Sequence, residues 1–128
     1  MMAPKPATPA ANRIERYLQT LLTQYRIGIS GHAPLVARSV TAALGFVLTD
    51  ARDQSEDGEV TVAAVHAALI RAATAAARNA AYLAARVDTA HEYGAVAFDT
   101  YRAAWAAATA DELRAIQRAL ETQFATEH

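Results

Sequence analysis

The chain contains no cysteine, little net charge and no long, strongly hydrophobic run, and each of these absences excludes a class of protein. Without cysteine there are no disulfides, thiolate nucleophiles, iron–sulfur clusters or cysteine-bound zinc. Lysine and arginine number 12 against 13 acidic residues, so the positive excess that sequence-independent nucleic-acid binding needs is missing. The longest apolar stretch, residues 60–77, is mostly alanine and is interrupted by His66 and Arg71, so no membrane-spanning segment is expected.

Proline and glycine are also scarce, and their distribution predicts how the chain is organised. Three of the four prolines lie within the first nine residues. Residues 1–11 are therefore predicted to form a flexible Pro/Ala-rich arm, which lacks the apolar run of a signal peptide. Residues 12–128 are predicted to form a single domain, because a chain of 128 residues is long enough for one hydrophobic core.

Apolar residues recur at helical spacing through most of that domain. The pattern predicts a first helix over residues 12–27, a second after Pro34, a third over residues 60–87 and a fourth over residues 92–108. Thr109, with a glutamate three residues later, has the spacing of a capping box and predicts the start of a fifth helix. The sequence therefore predicts an all-α protein, an antiparallel four- to five-helix bundle.

The third helix has an alanine-rich middle and needs larger side chains to pack against. Phe98, Tyr101 and Trp105 follow one another at i, i+3 and i+7 on the fourth helix, and they are predicted to fill the core. The alternative is that these rings form a docking face for another subunit or helix. Gly45, inside the second helix, predicts a close approach between helices.

The connection between the second and third helices resembles the first part of an EF-hand calcium loop. Asp53, Ser55 and Asp57 occupy places 1, 3 and 5, and Gly58 occupies the turn at place 6. Place 12, which needs a bidentate carboxylate, is Ala64. The sequence thus allows a weak calcium site on these three side chains, or an acidic turn that ends the second helix.

Arg86 to Tyr93 read R-V-D-T-A-H-E-Y, which places Arg86, His91 and Tyr93 in the order Arg-x4-His-x-Tyr. This order resembles the signature of the HEPN family of small helical ribonucleases, in its HepT-like toxin branch. The resemblance implies a homodimer that cuts RNA without a metal at a composite site where two helices meet. His91 would take the 2′-hydroxyl proton, and Arg86 would stabilise charge on the phosphate. Tyr93 would be a target for nucleotidyl modification by a partner antitoxin.

The same eight residues also fit an ordinary helix junction, with Arg86 near one helix end and Asp88 or Thr89 capping the next helix. On balance the sequence favours a cytoplasmic association protein without catalysis of its own, acting as a homodimer or as a subunit of a larger complex. A HEPN-like endoribonuclease is the alternative, and only that alternative implies nucleic acid as a partner. A calcium-responsive helix pair is the third hypothesis, and no cofactor is predicted.

Overall fold

A computed structural model describes residues 9–28, 31, 33–55, 57–89 and 93–124 of the chain. It contains α1 (Pro9–Arg26), α2 (Pro34–Asp53), α3 (Val62–Thr89) and α4 (Tyr93–Gln123), and the described residues include no strand. The predicted all-α helical bundle is confirmed. The first helix begins at Pro9 rather than Asn12, and residues 1–8 of the predicted arm lie outside the described residues.

Ion pairs between neighbouring helices fix their antiparallel order. Arg52, near the end of α2, donates to Glu15 near the start of α1. Asp50 of α2 accepts from Arg71 of α3, with an Nη2–Oδ2 distance of 2.7 Å. Arg86 near the end of α3 pairs with Asp99 near the start of α4, and His66 near the start of α3 contacts Glu121 near the end of α4. The four helices therefore run alternately up and down.

Where all four helices lie side by side, leucine, valine and isoleucine side chains close the core. Of the predicted apolar stripes of the first two helices and the first half of the third, most large members are buried, while Leu21 and Val36 are partly buried. On α4 the same core is completed by Leu113, Ile116, Leu120 and Phe124. We call this region the four-helix half, which comprises α1, residues 37–53 of α2, residues 62–73 of α3 and residues 109–124 of α4.

The predicted fifth helix does not exist as a separate element, because α4 runs without a break from Tyr93 to Gln123. No glycine or proline follows Gly94 to interrupt it. The Thr109 hydroxyl, predicted to cap a new helix, instead donates to the Trp105 carbonyl one turn back, at 2.9 Å. Such back-bonding is the usual alternative for a threonine inside a helix.

Alanine, rather than large side chains, packs between α3 and α4 beyond the four-helix half. Along α4, a stripe with alternating four- and three-residue steps contains Asp99, Ala103, Ala106, Ala110 and Leu113, the spacing of an antiparallel coiled coil. Small side chains at these places let two helix backbones approach closely. We call residues 74–89 of α3, 93–108 of α4 and the first turn of α2 the open half.

Gly45 marks no close approach between helices. A Cβ atom added there would meet nothing within 4 Å, so the predicted contact is wrong. The glycine lies on a partly exposed side of α2, opposite none of the backbones that pack against that helix.

Within the described residues, α2 is the one helix long and apolar enough, by length and composition alone, to cross a membrane. Its apolar residues nevertheless have neighbours inside the bundle, because Val40, Leu44 and Val47 are fully buried in the core. Its Asp50 is paired with Arg71 of α3. These contacts favour a core helix of the bundle over a membrane segment.

Candidate functional site

The aromatic stripe of α4 lies outside the core, which corrects the expectation that it fills the bundle. Phe98 is 61% exposed and Tyr101 is 55% exposed, while Trp105 is partly buried. The reason is the packing of α4 against α3 through alanines, which leaves no room for rings between the two helices. Phe98 and Tyr101 therefore lie on a flank of α4 beside its contact with α3, and Trp105 lies at the border of that contact.

That flank is uncovered because α1 is too short to reach it. In the four-helix half, α1 runs antiparallel to α4, with the Tyr17 and Phe124 rings 5.6 Å apart at one end. At the other end the Tyr25 hydroxyl donates to Glu112, and α1 stops at Arg26. Phe98, Tyr101 and Trp105 all lie on the part of α4 before Glu112, beyond the end of α1.

A shallow apolar groove of about 220 Å³ runs beside these rings, between the start of α2 and α4. Its walls are Leu35 and Val36 of α2 and Tyr101, Ala104, Trp105 and Ala108 of α4. None of the lining side chains is charged. We call this groove, together with Phe98, the aromatic face.

Trp105 separates the aromatic face from a second, more polar cavity. Its ring also lines a space of about 200 Å³ with Ser39 of α2, Asn79 of α3 and Arg102 of α4. The indole Nε1 is buried and donates to no acceptor in the described part of the chain. Since Trp105 is the single tryptophan of the protein, its fluorescence reports on this one position.

Arg86, the predicted catalytic arginine, is held against a buried carboxylate. Its Nε atom lies 3.3 Å from Oδ2 of Asp99, whose side chain is only 4% exposed. Arg102 approaches the other carboxylate oxygen, with Nη1 4.0 Å from Oδ1. The Arg86 guanidinium also lies 5.9 Å from the centre of the Tyr82 ring. Arg86 thus neutralises a charge between α3 and α4, which accounts for an arginine near this helix end.

The other two residues of the motif cannot be placed. His91 lies between α3 and α4, outside the described residues, and Tyr93 begins α4 with a side chain that is not described. The half-exposed Arg86 side chain stands three residues before the end of α3, so the motif does fall where two helices meet. Whether His91 shares a cleft with Arg86 stays a prediction.

Asp99 was missed by the sequence analysis, although a signal was present. It falls on the same four-three stripe as Ala103, Ala106 and Ala110, the stripe that faces α3. An acidic residue at such a place needs a cation on the facing helix, since a buried charge is costly unless it is paired. Reading the alanines as the inward face would have placed Asp99 inside and the aromatic rings outside.

In the predicted calcium loop, the carboxylate of Asp57 is engaged within the loop itself. It accepts from the Ser55 hydroxyl at 2.7 Å and from the Glu59 backbone N–H at 3.0 Å, while Gly58 has φ +74°. Among the described residues there is no group of three or more acidic, histidine or cysteine side chains placed to hold a metal. The weak site on Asp53, Ser55 and Asp57 stays a prediction.

The hydrogen bond between Tyr25 and Glu112, in the four-helix half, affects the pKa of the tyrosine. Burial and the hydrogen bond to Glu112 raise the pKa of Tyr25 well above its ordinary value of 10. Burial also raises the pKa of Tyr17. Through this hydrogen bond Tyr25 joins α1 to α4, and the ring of Tyr17 makes a second contact between these helices at Phe124.

Comparisons with protein-family models, with curated proteins and with solved structures found no match.

Proposed function

We propose that this protein works by association, as a small cytoplasmic helical-bundle subunit that binds protein through its aromatic face and performs no catalysis itself. The observation that carries the proposal is the exposure of Phe98 and Tyr101 beside an uncharged groove. Exposed aromatic rings next to apolar pockets are typical anchors of protein interfaces. A ring left in water forgoes a large part of its transfer free energy, which a partner would recover.

The position of the face supports this proposal as much as its composition. The aromatic face lies beyond the end of α1, where three helices lie side by side instead of four. The position that α1 occupies beside α4 in the four-helix half is therefore open there to a helix or a ring of a partner. Binding of an apolar helix in such a groove is a common mode of recognition.

The proposal is tested by charging the face and following what the protein binds. Tyr101→Glu puts a carboxylate at the groove while leaving the core untouched, since the ring is more than half exposed. Immobilised wild type and Tyr101→Glu are incubated with lysate of the source cells, and bound proteins are quantified by mass spectrometry. Self-association is measured separately by sedimentation.

Phe46→Glu serves as the matched control, because Phe46 is a 65% exposed ring on α2. We expect binding, to itself or to another protein, to fall with Tyr101→Glu and to persist with Phe46→Glu. Binding that is equal for all three proteins, or absent for all three, would contradict the proposal.

A second candidate is the HEPN-like ribonuclease, and one observation favours it. The half-exposed Arg86 lies at the end of α3, beside the junction that contains His91. The test is cleavage of a mixed-sequence RNA in EDTA by wild type, His91→Ala and His66→Ala. His66 is the control because it contacts Glu121 in the four-helix half, at 2.7 Å. Cleavage lost only with His91→Ala would favour catalysis, whereas no cleavage by any of the three proteins would favour association.

A further inference from the structure

We infer that the polar cavity beside Trp105 is a binding site for a small organic carboxylate with an apolar body. The cavity has a volume of about 200 Å³ and lies between α2, α3 and α4. Its lining residues are Ser39, Asn79, Leu83, Arg102, Trp105 and Ala106. The inference is independent of the proposed function, because the groove of the aromatic face is a separate space that shares only the Trp105 ring with this cavity.

The antiparallel order of the helices brings the lining side chains to one level of the open half. Arg86 of α3 meets Asp99 of α4, and three residues further into each helix Leu83 lies at the level of Arg102. Ser39 of α2 forms the third side of the cavity. Its side chain is short, so it closes that side without filling the space between the three helices.

The indole N–H of Trp105 is a buried donor that has no acceptor in the described part of the chain. Buried N–H groups are nearly always hydrogen-bonded in folded proteins, because an unpaired one forfeits the hydrogen bond that it makes with water in the unfolded chain. Among the described residues, Trp105 Nε1 is the one buried side-chain nitrogen or oxygen atom in this condition. We assign an acceptor bound in the cavity as the partner of this donor.

The remaining polar groups of the cavity indicate that the acceptor is an anion. Ser39 contributes a hydroxyl, Asn79 an amide and Arg102 a guanidinium, and no lining residue is acidic. Arg102 Nη1 is 4.0 Å from the Asp99 carboxylate, which is too long for a hydrogen bond, and Arg86 lies closer to that carboxylate, at 3.3 Å. The guanidinium of Arg102 can therefore donate to a carboxylate in the cavity, where charge-assisted hydrogen bonds are the strong ones.

The rest of the wall indicates an apolar body of limited size. Leu83, Ala106 and the Trp105 ring offer no charge, and Leu83 is only 2% exposed. A cavity of about 150 Å³ holds benzene, so about 200 Å³ accepts one ring that carries a carboxylate. A small inorganic anion would leave the apolar wall uncovered, and its affinity should be lower for that reason.

Benzoate is the probe, because it joins one ring to one carboxylate, and the measurement is NMR of the isotope-labelled full chain. Trp105 is the single tryptophan, so its indole N–H gives the one resonance of that type. We expect benzoate to shift this resonance saturably, with a dissociation constant on the order of 1 mM, as for other ligands of this size. Benzamide, which is neutral and nearly the same shape, and inorganic phosphate should each bind at least about tenfold more weakly.

Two variants on different helices test the location. Arg102→Gln removes the cation and should weaken benzoate binding at least about tenfold. Ser39→Leu puts a larger side chain into the cavity and should abolish the shift. Arg114→Gln is the matched control, because Arg114 is a half-exposed arginine of α4 in the four-helix half, and it should change the dissociation constant by less than about twofold. Circular dichroism checks that each variant is folded.

Three results would overturn the inference, and the first two need no variant. One is an indole resonance that does not move with benzoate up to about 20 mM. The second is benzamide or phosphate that binds as tightly as benzoate, because the ligand would then not be an apolar carboxylate. The third is a benzoate shift that Arg102→Gln and Ser39→Leu both leave unchanged, because the probe would then lie in the groove of the aromatic face.

Discussion

The four-helix half and the open half are parts of the same continuous helices, but different side chains hold them together. In the first, leucines and valines from four helices fill a shared core. In the second, α3 and α4 contact each other mainly through alanine, with Leu83 the one large apolar side chain that is fully buried there among the described residues. A core of large side chains stabilises a fold by itself, whereas alanine packing brings helices close but contributes little transfer free energy per residue.

The two halves also differ in whether the aromatic rings beside α4 are buried or exposed. Tyr25 and Phe124 are buried where α1 lies beside α4, and Phe98 and Tyr101 are exposed where it does not. Along the line where α1 and α4 run side by side, aromatic rings are therefore core, and on the part of α4 beyond α1 the rings of Phe98 and Tyr101 are surface. The deciding variable is the length of α1, since it sets how far along α4 a fourth helix is present.

The largest effect is expected from removing a core leucine in each half. Leu113→Ala, in the four-helix half, should lower the free energy of unfolding by about 4 kcal/mol, because the cavity is enclosed by four helices. Leu83→Ala should cost about 2 kcal/mol, because fewer side chains surround it. Urea denaturation measures both values. Equal losses would show that the open half is packed as tightly as the rest.

Breaking the Arg86–Asp99 pair is the next largest change. Arg86→Ala leaves the buried Asp99 carboxylate, among the described residues, with the more distant Arg102 alone, and we expect a loss of about 2 kcal/mol in the free energy of unfolding. This is less than for a fully buried pair, because half of the Arg86 side chain is in water. Arg102→Ala, as the control, should cost less than about 1 kcal/mol. A larger loss from Arg102→Ala would assign the pairing role to that residue.

The hydrogen bond between Tyr25, near the C-terminal end of α1, and Glu112 should make a smaller, pH-dependent contribution to the free energy of unfolding. Tyr25→Phe should cost about 1 kcal/mol at neutral pH, since it removes a hydrogen bond to Glu112. The raised pKa of Tyr25 means that the unfolded chain loses this proton first, so the wild type keeps the stabilisation below pH 10 and loses it as the pH rises above 10.

Thermal denaturation at pH 8 and pH 11 measures that effect. The difference in melting temperature between wild type and Tyr25→Phe should shrink at the higher pH. A difference that grows with pH would contradict the assignment of the raised pKa to Tyr25.

The smallest effect compares helix propensity between the halves. Gly45→Ala should raise the free energy of unfolding by about 0.5–1 kcal/mol, since a Cβ atom there meets nothing within 4 Å. Ala107→Gly, at an exposed position of α4, should lower it by a similar amount. If the two variants change the free energy of unfolding by equal amounts of opposite sign, helix propensity is the same in both halves, and the halves differ in side-chain packing. A much larger loss from Ala107→Gly would mean that the open half depends on propensity.

Much of the fold could be predicted because the relevant signals are local. Apolar spacing predicted the first helix, in which Ile14, Leu18 and Leu22 are buried, and Pro34 marked the start of the second helix. The division of α4 failed because Thr109 has the spacing of a cap, and spacing does not distinguish a hydroxyl that caps a helix from one that bonds back within it.

The candidate site was predicted only in part. The rings of Phe98, Tyr101 and Trp105 were recognised as one stripe, but they were assigned to the core because large apolar side chains usually lie inside. Arg86 was singled out by its motif, whereas its partner Asp99 was not noticed, since the pairing joins residues of two helices across the hairpin.

The sequence by itself determined that this protein is helical, because alanine-rich composition and apolar periodicity act within a few turns of chain. It also determined the helical spacing that brings Ile14, Leu18 and Leu22 of α1 and Val40, Leu44 and Val47 of α2 into the core. Only the tertiary structure decided which side of α4 faces inward, since that depends on the fit of its alanines against α3 and on where α1 ends. For the same reason the aromatic face became visible only with the fold, because a side chain is exposed or covered according to what lies beside it in space.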